Sequence, residues 1–318
     1  MTVKTQDKYG LREKAILVKV STAMFGTQKK DREATQIAAD THRAAADQVA
    51  VVKSIINRKN PLFKKIDRVR GVLRNTHLAT TGVWDDNFRI ITTKKYAQWR
   101  ETMDELVVKF DEAVADFVTA LPQIKAEARE NLGDLWDDDL IPDADKVRRS
   151  FYIDLETEVM PDRNNTILDL DQARTDQIIA DANAADQKRI KALAEDTHNR
   201  VRNELEGMVE ALRSFGDDLP DTKRTKTFRD SLIKRMAAMA DTLPGLNVTG
   251  DPKLEKLAQD IAGQLTLISP ADLRGDKVTG DNRTKAQIEA AAATKREETA
   301  NAAQALVDDL DGIFGDAA

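Results

Sequence analysis

Apolar positions along this chain recur at two spacings, and the two spacings divide it into strands and helices. Residues 15–24, Ala-Ile-Leu-Val-Lys-Val-Ser-Thr-Ala-Met, form a β-branched apolar run too short for a secure helix, and predict a strand punctuated by Gly26. Phe151, Ile153 and Leu155 alternate with Tyr152, Asp154 and Glu156, the period of a half-buried strand. Pairing these two closes a small sheet in the N-terminal half; Phe88 to Thr93 reads separately as a short strand without an assigned partner.

Elsewhere the apolar step is three to four residues. From about Asp31, the positions Ile37/Ala38, Thr41, Ala45, Val49, Val52 and Ile55/Ile56 fall on one helix face. Asn60-Pro61 starts a second helix, because Asn caps well and proline suits the first helical position. That helix turns Leu62, Ile66, Val69 and Leu73 inward, with Phe63 at their edge. Lys64, Arg68 and Arg74 point away, and Lys65 and Arg70 lie on the two borders. A loop is expected over His77–Asp86. Trp99, Met103, Leu106/Val107, Phe110, Val114 and Phe117/Val118 mark the clearest helix, which Pro122 ends or kinks near Ala120. Residues 123–132 continue it to a stop at Leu132-Gly133-Asp134.

Pro161–Asn165 reads as a polar turn, and sets the expected boundary between a basic-headed α+β module (1–160) and an acidic helical module (161–318). The second module opens with a helix from Asp171 to Phe215. Its stripe runs Ile178, Ala182, Ala185, Ile190, Leu193, Thr197, Val201, Leu205, Met208, Leu212 and Phe215. A stripe of that length needs a partner surface, so a helical hairpin, a coiled coil or self-association is expected. Shorter helices follow at about 226–242, 252–265 and 270–274, two of them opened by Pro252 and Pro270. A Gly- and Asp-containing loop (275–282) leads to a last helix over 283–311. Nine of the twenty residues 286–305 are Ala, so this helix forms readily but offers small side chains, and should pack closely on a neighbour or project.

Composition agrees with long, thin helices: aromatic residues are only 5% and charged residues 33% of 318. The expected fold is therefore mainly α, an elongated set of helical bundles or hairpins with a small β element in the N-terminal half. No run of 18 apolar residues is present, so no membrane span is expected, and the polar start from Met1 to Leu11 lacks the apolar core of a secretion signal. A cytoplasmic location is the expectation that follows. The absence of cysteine excludes disulfides, thiol nucleophiles and Cys-ligated zinc together.

Charge changes the picture most. The first 76 residues hold 17 Lys/Arg against 7 Asp/Glu, while the remaining 242 hold 32 against 48. The cations concentrate in Arg58, Lys59, Lys64, Lys65, Arg68, Arg70 and Arg74, seven in seventeen residues, with only Asp67 opposing them. Such a cluster repels itself unless anions lie nearby. Phosphates would give sequence-independent, salt-sensitive binding of nucleic acid. Carboxylates of the same chain or of another subunit are the alternative, and a solvated face the third. Only Phe63 lies near the cations, so interleaved stacking of a single strand is weakly supported.

Other candidate chemistry is thin. Asp85-Asp86 and Asp137-Asp138-Asp139, each beside a Trp, could suggest a hard-cation site, but in loops Asp chiefly caps turns and helices. His42, His77 and His198 have no histidine at metal-ligand spacing, and His77 alone, just after the basic helix, could add a phosphate contact. Phosphate loops, nucleophile elbows, dinucleotide fingerprints and zinc-protease helices are missing, so neither an enzyme nor a cofactor is expected.

Four phrases together carry a resemblance. They are VWDDNFRIITTKKYAQW (Val83–Trp99), FDEAVADFV (Phe110–Val118), ARENLGDLWDDDLIPDADKVRRSFYIDLE (Ala128–Glu156) and the stretch from Phe228 to Leu257 containing FRDSLIKRM and LPGLNVTGDPKLEKL. In these the chain resembles an uncharacterised family of bacteriophage proteins, over about two thirds of its length. The resemblance implies a phage protein made in the host cytoplasm and assigns no functional residues. Charge and resemblance together give the expected function: a non-enzymatic nucleic-acid-associated protein of the kind that accompanies phage DNA replication or recombination. The alternatives are a structural or assembly protein that self-associates through its basic and acidic parts, and an adaptor for a protein partner.

Overall fold

The computed structural model describes residues 10–161, 171–218, 225–227, 229–277 and 282–314. In chain order the first elements are α1 (Leu11–Lys14), β1 (Ala15–Ala23), β2 (Gln28–Asp31), α2 (Arg32–His42), β3 (Val51–Ser54) and α3 (Pro61–Thr80). Next come β4 (Gly82–Val83), β5 (Arg89–Thr92), α4 (Thr93–Thr119), α5 (Leu121–Leu132), α6 (Ala144–Arg149) and β6 (Tyr152–Val159). The remainder is helical: α7 (Gln172–Arg213), α8 (Ser231–Leu246), α9 (Pro252–Leu265), α10 (Pro270–Arg274) and α11 (Lys285–Phe314). The protein is mainly α with a small antiparallel sheet in its N-terminal half, as the hydrophobic spacing predicts.

That sheet has the order β4-β5-β1-β6, so the two strands expected to pair are neighbours. β1 and β5 run antiparallel, with Ala15 opposite Thr92 and Leu17 opposite Ile90. The chain gathers into two compact units. One collects residues up to Val18, 79–97 and those from Thr157 onward; the other collects 19–78 and 98–156. Of the boundary expected at Pro161–Asn165, all but Pro161 lies outside the described residues.

In the first unit the long stripe of α7 is used inside the chain. Val201, Leu205, Met208 and Leu212 are buried against Leu306, Leu310, Ala300 and Ala303 of α11 and against Leu232 and Met236 of α8. The Ala-rich helix thus packs closely rather than projecting, since small side chains let two backbones approach. Further up α7, Ile190 and Leu193 join Trp84, Ile90 and Leu17 in a second core. β4 comes so near that a Cβ on Gly82 would clash with Leu193 Cδ1. Ile178, in the first turns of α7, is exposed.

The second unit is built on α3, α4 and α5. Ile66, Phe110, Phe117, Leu121, Ile124 and Phe151 form its core, with Phe63 edge-on to Phe117 at a centroid distance of 6.0 Å. α4 ends at Thr119, and Pro122 sits in the first turn of α5, where its missing N–H costs nothing. Gly133, at φ 51°, closes α5 at the expected stop.

The helix expected from Asp31 to Ile56 is instead a helix, a turn and a strand. α2 is capped by Asp31, whose Oδ1 accepts from Ala34 N–H at 3.0 Å, and it stops at Arg43 in the left-handed conformation, φ 51°. Beyond it Val51 and Val52 pair with Asp31 and Lys30 of β2. β-Branched residues favour that extended arrangement once a second strand is available. The expected loop at His77–Asp86 is likewise shorter, because α3 continues to Thr80.

Candidate nucleic-acid interface

The start of α3 is fixed by two asparagines. Asn57 Oδ1 accepts from the N–H of Lys59 at 2.8 Å, and Asn60 Oδ1 accepts from the N–H groups of Leu62 and Phe63 at 3.0 and 3.1 Å. This cap sets the rotation of the helix. Ile66, Leu73 and His77 are then buried, while Leu62, Phe63 and Val69 are half-buried. Lys64 and Arg68, one turn apart, occupy the opposite side and are exposed, followed along that side by Val72 and Asn75.

The seven predicted cations do not share one fate. Lys65 reaches Asp116 of α4 at 2.8 Å, and this hydrogen-bonded carboxylate holds its ammonium above the usual lysine range. Arg70 pairs with Asp67 at 2.7 Å on its own helix. Arg58 donates to Thr27 Oγ1 and Gln28 Oε1, each at 3.3 Å. Lys59, Lys64, Arg68 and Arg74 are exposed, and their side chains make no hydrogen bond or ion pair with any described residue. The helix therefore presents a reduced set: four unengaged cations, two tied to carboxylates and one tied to neutral oxygens.

The surroundings temper its field. Residues 19–78 carry 13 Lys/Arg against 5 Asp/Glu, and residues 98–156, which pack with them, carry 7 against 16, for a net of −1 in the unit. Attraction to a polyanion is consequently local, acting within about one Debye length, ~8 Å at physiological salt.

Three further cations escaped the sequence reading. Lys29 and Lys53 stand directly opposite each other on β2 and β3, a repulsive pairing. Lys29 Nζ donates to Asp139 O at 3.0 Å, and Lys53 Nζ donates to Leu135 O at 2.9 Å and pairs with Asp31 at 2.8 Å. They pin the turn after α5. In the first unit, half-buried Arg89 donates to Thr81 Oγ1 at 2.6 Å. Burial, then the nearby charge of Arg200, pushes its guanidinium down to about 10, against the opposing pull of Asp196.

The aspartate clusters serve turns. Asp85 Oδ1 accepts from the N–H groups of Asn87 and Phe88 at 2.8 and 2.7 Å, and Asp137 Oδ1 accepts from Asp139 N–H at 2.9 Å. Asp138 accepts from Trp136 Nε1–H at 2.9 Å and pairs with Arg129 at 2.7 Å; that indole bond, then Arg129, lowers its pKa. His77 requires a correction. Its ring is buried 5.8 Å from that of Trp99, so it offers no phosphate contact. The extra turn of α3, unseen in the sequence, carries it into the core.

No protein-family model, no curated protein and no solved structure matches the chain. Among the described residues, no helix is long and apolar enough to cross a membrane.

Proposed function

We propose that this is a non-enzymatic nucleic-acid-associated protein whose α3 and preceding turn hold backbone phosphates without regard to sequence. The observation that carries the reading is the group Lys59, Lys64, Arg68 and Arg74, exposed along one short stretch and engaged with no described carboxylate. Given the resemblance to phage proteins, the setting would be DNA replication or recombination in the host cytoplasm.

Four phosphate contacts on a duplex set a slope of about −3 to −4 for log affinity against log salt, with dissociation constants on the order of 1–100 μM at physiological salt. Filter binding of a labelled duplex and a labelled single strand, from about 50 to about 200 mM salt, tests this. Affinity that falls more than tenfold across that range supports it; no retention at low salt, or retention indifferent to salt, refutes it.

One observation favours a second reading, in which copies of the chain associate. α4 exposes Glu101 and Asp111 with no described partner, in the same unit as the unengaged cations of α3. Basic α3 of one copy could then face acidic α4 of another. Light scattering without nucleic acid would show an oligomer that dissociates as salt rises; a monomer at all salt concentrations excludes it. The stripe of α7, covered by α11 and α8 from Val201 to Leu212 and by the core around Trp84 and Ile90 at Ile190 and Leu193, does not argue for such a contact.

A further inference from the structure

Beside the basic turn lies an open cleft of about 360 Å³, within the size range of small-molecule sites. Ile56 and Ile124, both buried, contribute to its apolar floor; Asn57, Asn60, Glu127 and Asn131 contribute its polar rim. The cap geometry decides what this rim can offer. Asn60 Oδ1 already accepts two backbone N–H groups and Asn57 Oδ1 one, so both side-chain NH₂ groups and one acceptor site on Asn57 remain for a ligand. Glu127 Oε1 accepts from Gln123 Nε2 at 3.0 Å, which leaves Oε2 as an acceptor. Asn131 is exposed and its amide engages no described residue. The cleft's lining thus offers two amide donors, one carboxylate acceptor and one unengaged amide around an apolar floor.

Its position in the chain supplies the second half of the argument. Arg58 and Lys59 lie in the chain between two of the lining residues, Asn57 and Asn60, and Lys64 follows one turn into α3, so the unengaged cations Lys59 and Lys64 adjoin the cleft's lining in sequence. Resting on the phosphate-binding reading above, we infer that the cleft receives one unstacked nucleobase of a single strand whose adjacent phosphates meet Lys59 and Lys64. A base edge shows carbonyl or ring-nitrogen acceptors beside amino or imino donors, the pattern complementary to this rim, and its planar face suits the isoleucines. The cleft supplies the apolar contact that aromatic residues provide elsewhere, which the sequence lacks around the cations.

The experiment is fluorescence anisotropy at low salt with two labelled strands of equal phosphate count, an oligothymidine and its abasic counterpart. The comparison is made for the wild-type chain, Asn131→Ala and Asn131→Trp, with folding of each checked by circular dichroism. Position 131 is exposed, so both variants should fold; the indole partly fills the cleft. The expected result is about tenfold tighter binding of the oligothymidine than of the abasic strand, the size of one good base-edge contact. Asn131→Trp should abolish that preference while leaving the abasic affinity unchanged.

Equal binding of both strands, or a preference untouched by Asn131→Trp, overturns the inference and leaves phosphate binding standing. Failure to bind either strand overturns both. Polyglutamate that binds as tightly as the oligothymidine, and is lost equally in Asn131→Trp, assigns the cleft to an acidic peptide and overturns the base.

Discussion

Lys29 and Lys53 show how single residues settle electrostatic conflicts in this chain. Cross-strand like charges are normally unfavourable, yet each ammonium here finds a carbonyl oxygen in the turn after α5, and Lys53 also finds Asp31. Asp31 is consequently the most connected acid of the β2–α2 region: it caps α2, pairs with Lys53 and lies in the strand register. The Lys53 hydrogen bond first, and the Ala34 N–H second, hold its carboxyl below the usual 3.8. A group with a depressed folded pKa stabilises the fold above its unfolded value and loses that contribution as pH falls through the folded one. Protection of the amides in β2, β3 and α2, taken relative to the intrinsic exchange rate at each pH, should therefore fall as pH drops below the ordinary Asp range, and Asp31→Asn should remove that pH dependence. An acid response identical in wild type and variant would contradict this role.

At the scale of elements, α3 depends on its cap. Removing the Asn60 acceptor with Asn60→Ala frees two N–H groups, and should cost about 1 kcal/mol in a urea titration. An undiminished midpoint would mean that the core alone fixes the helix. α11 depends on close approach: Ala303 is fully buried against α7, and Ala303→Leu should lower stability by about 1–3 kcal/mol through overpacking. A neutral result would place slack between those helices.

These elements also show what was legible in the sequence. The long stripes over 99–118 and 171–215 and the capped start at Asn60-Pro61 specify helices on their own, because local spacing and local capping agree there. Residues 43–56 depart from the expected helix because their apolar spacing also fits one, while their strand depends on a partner twenty or more residues earlier. The basic group was legible as a list of charges. Which of its members are engaged was not: Asp116, the partner of Lys65, lies 51 residues away and on another helix. The cleft beside it was invisible for the same reason, since its rim joins Asn57 and Asn60 to Glu127 and Asn131 only through packing.

For the whole molecule, the split between a basic first quarter and an acidic remainder is not a split between two bodies. The cations of 19–78 fold into one unit with the acidic stretch 98–156, and part of the charge is cancelled there. What is left for a partner is a short strip with a short electrostatic reach, suited to weak, salt-labile contact with a polyanion. The slope of log affinity against log salt, measured for the wild-type chain and for a variant carrying Lys59→Ala, Lys64→Ala, Arg68→Ala and Arg74→Ala, tests that directly. A second variant, with four exposed lysines of other elements (Lys109, Lys188, Lys191 and Lys256) changed to alanine, is the control for net charge. Each lost phosphate contact should lower the magnitude of the slope by about 1, so the first variant should approach zero while the control keeps the wild-type slope. Equal slopes in all three proteins would contradict the account.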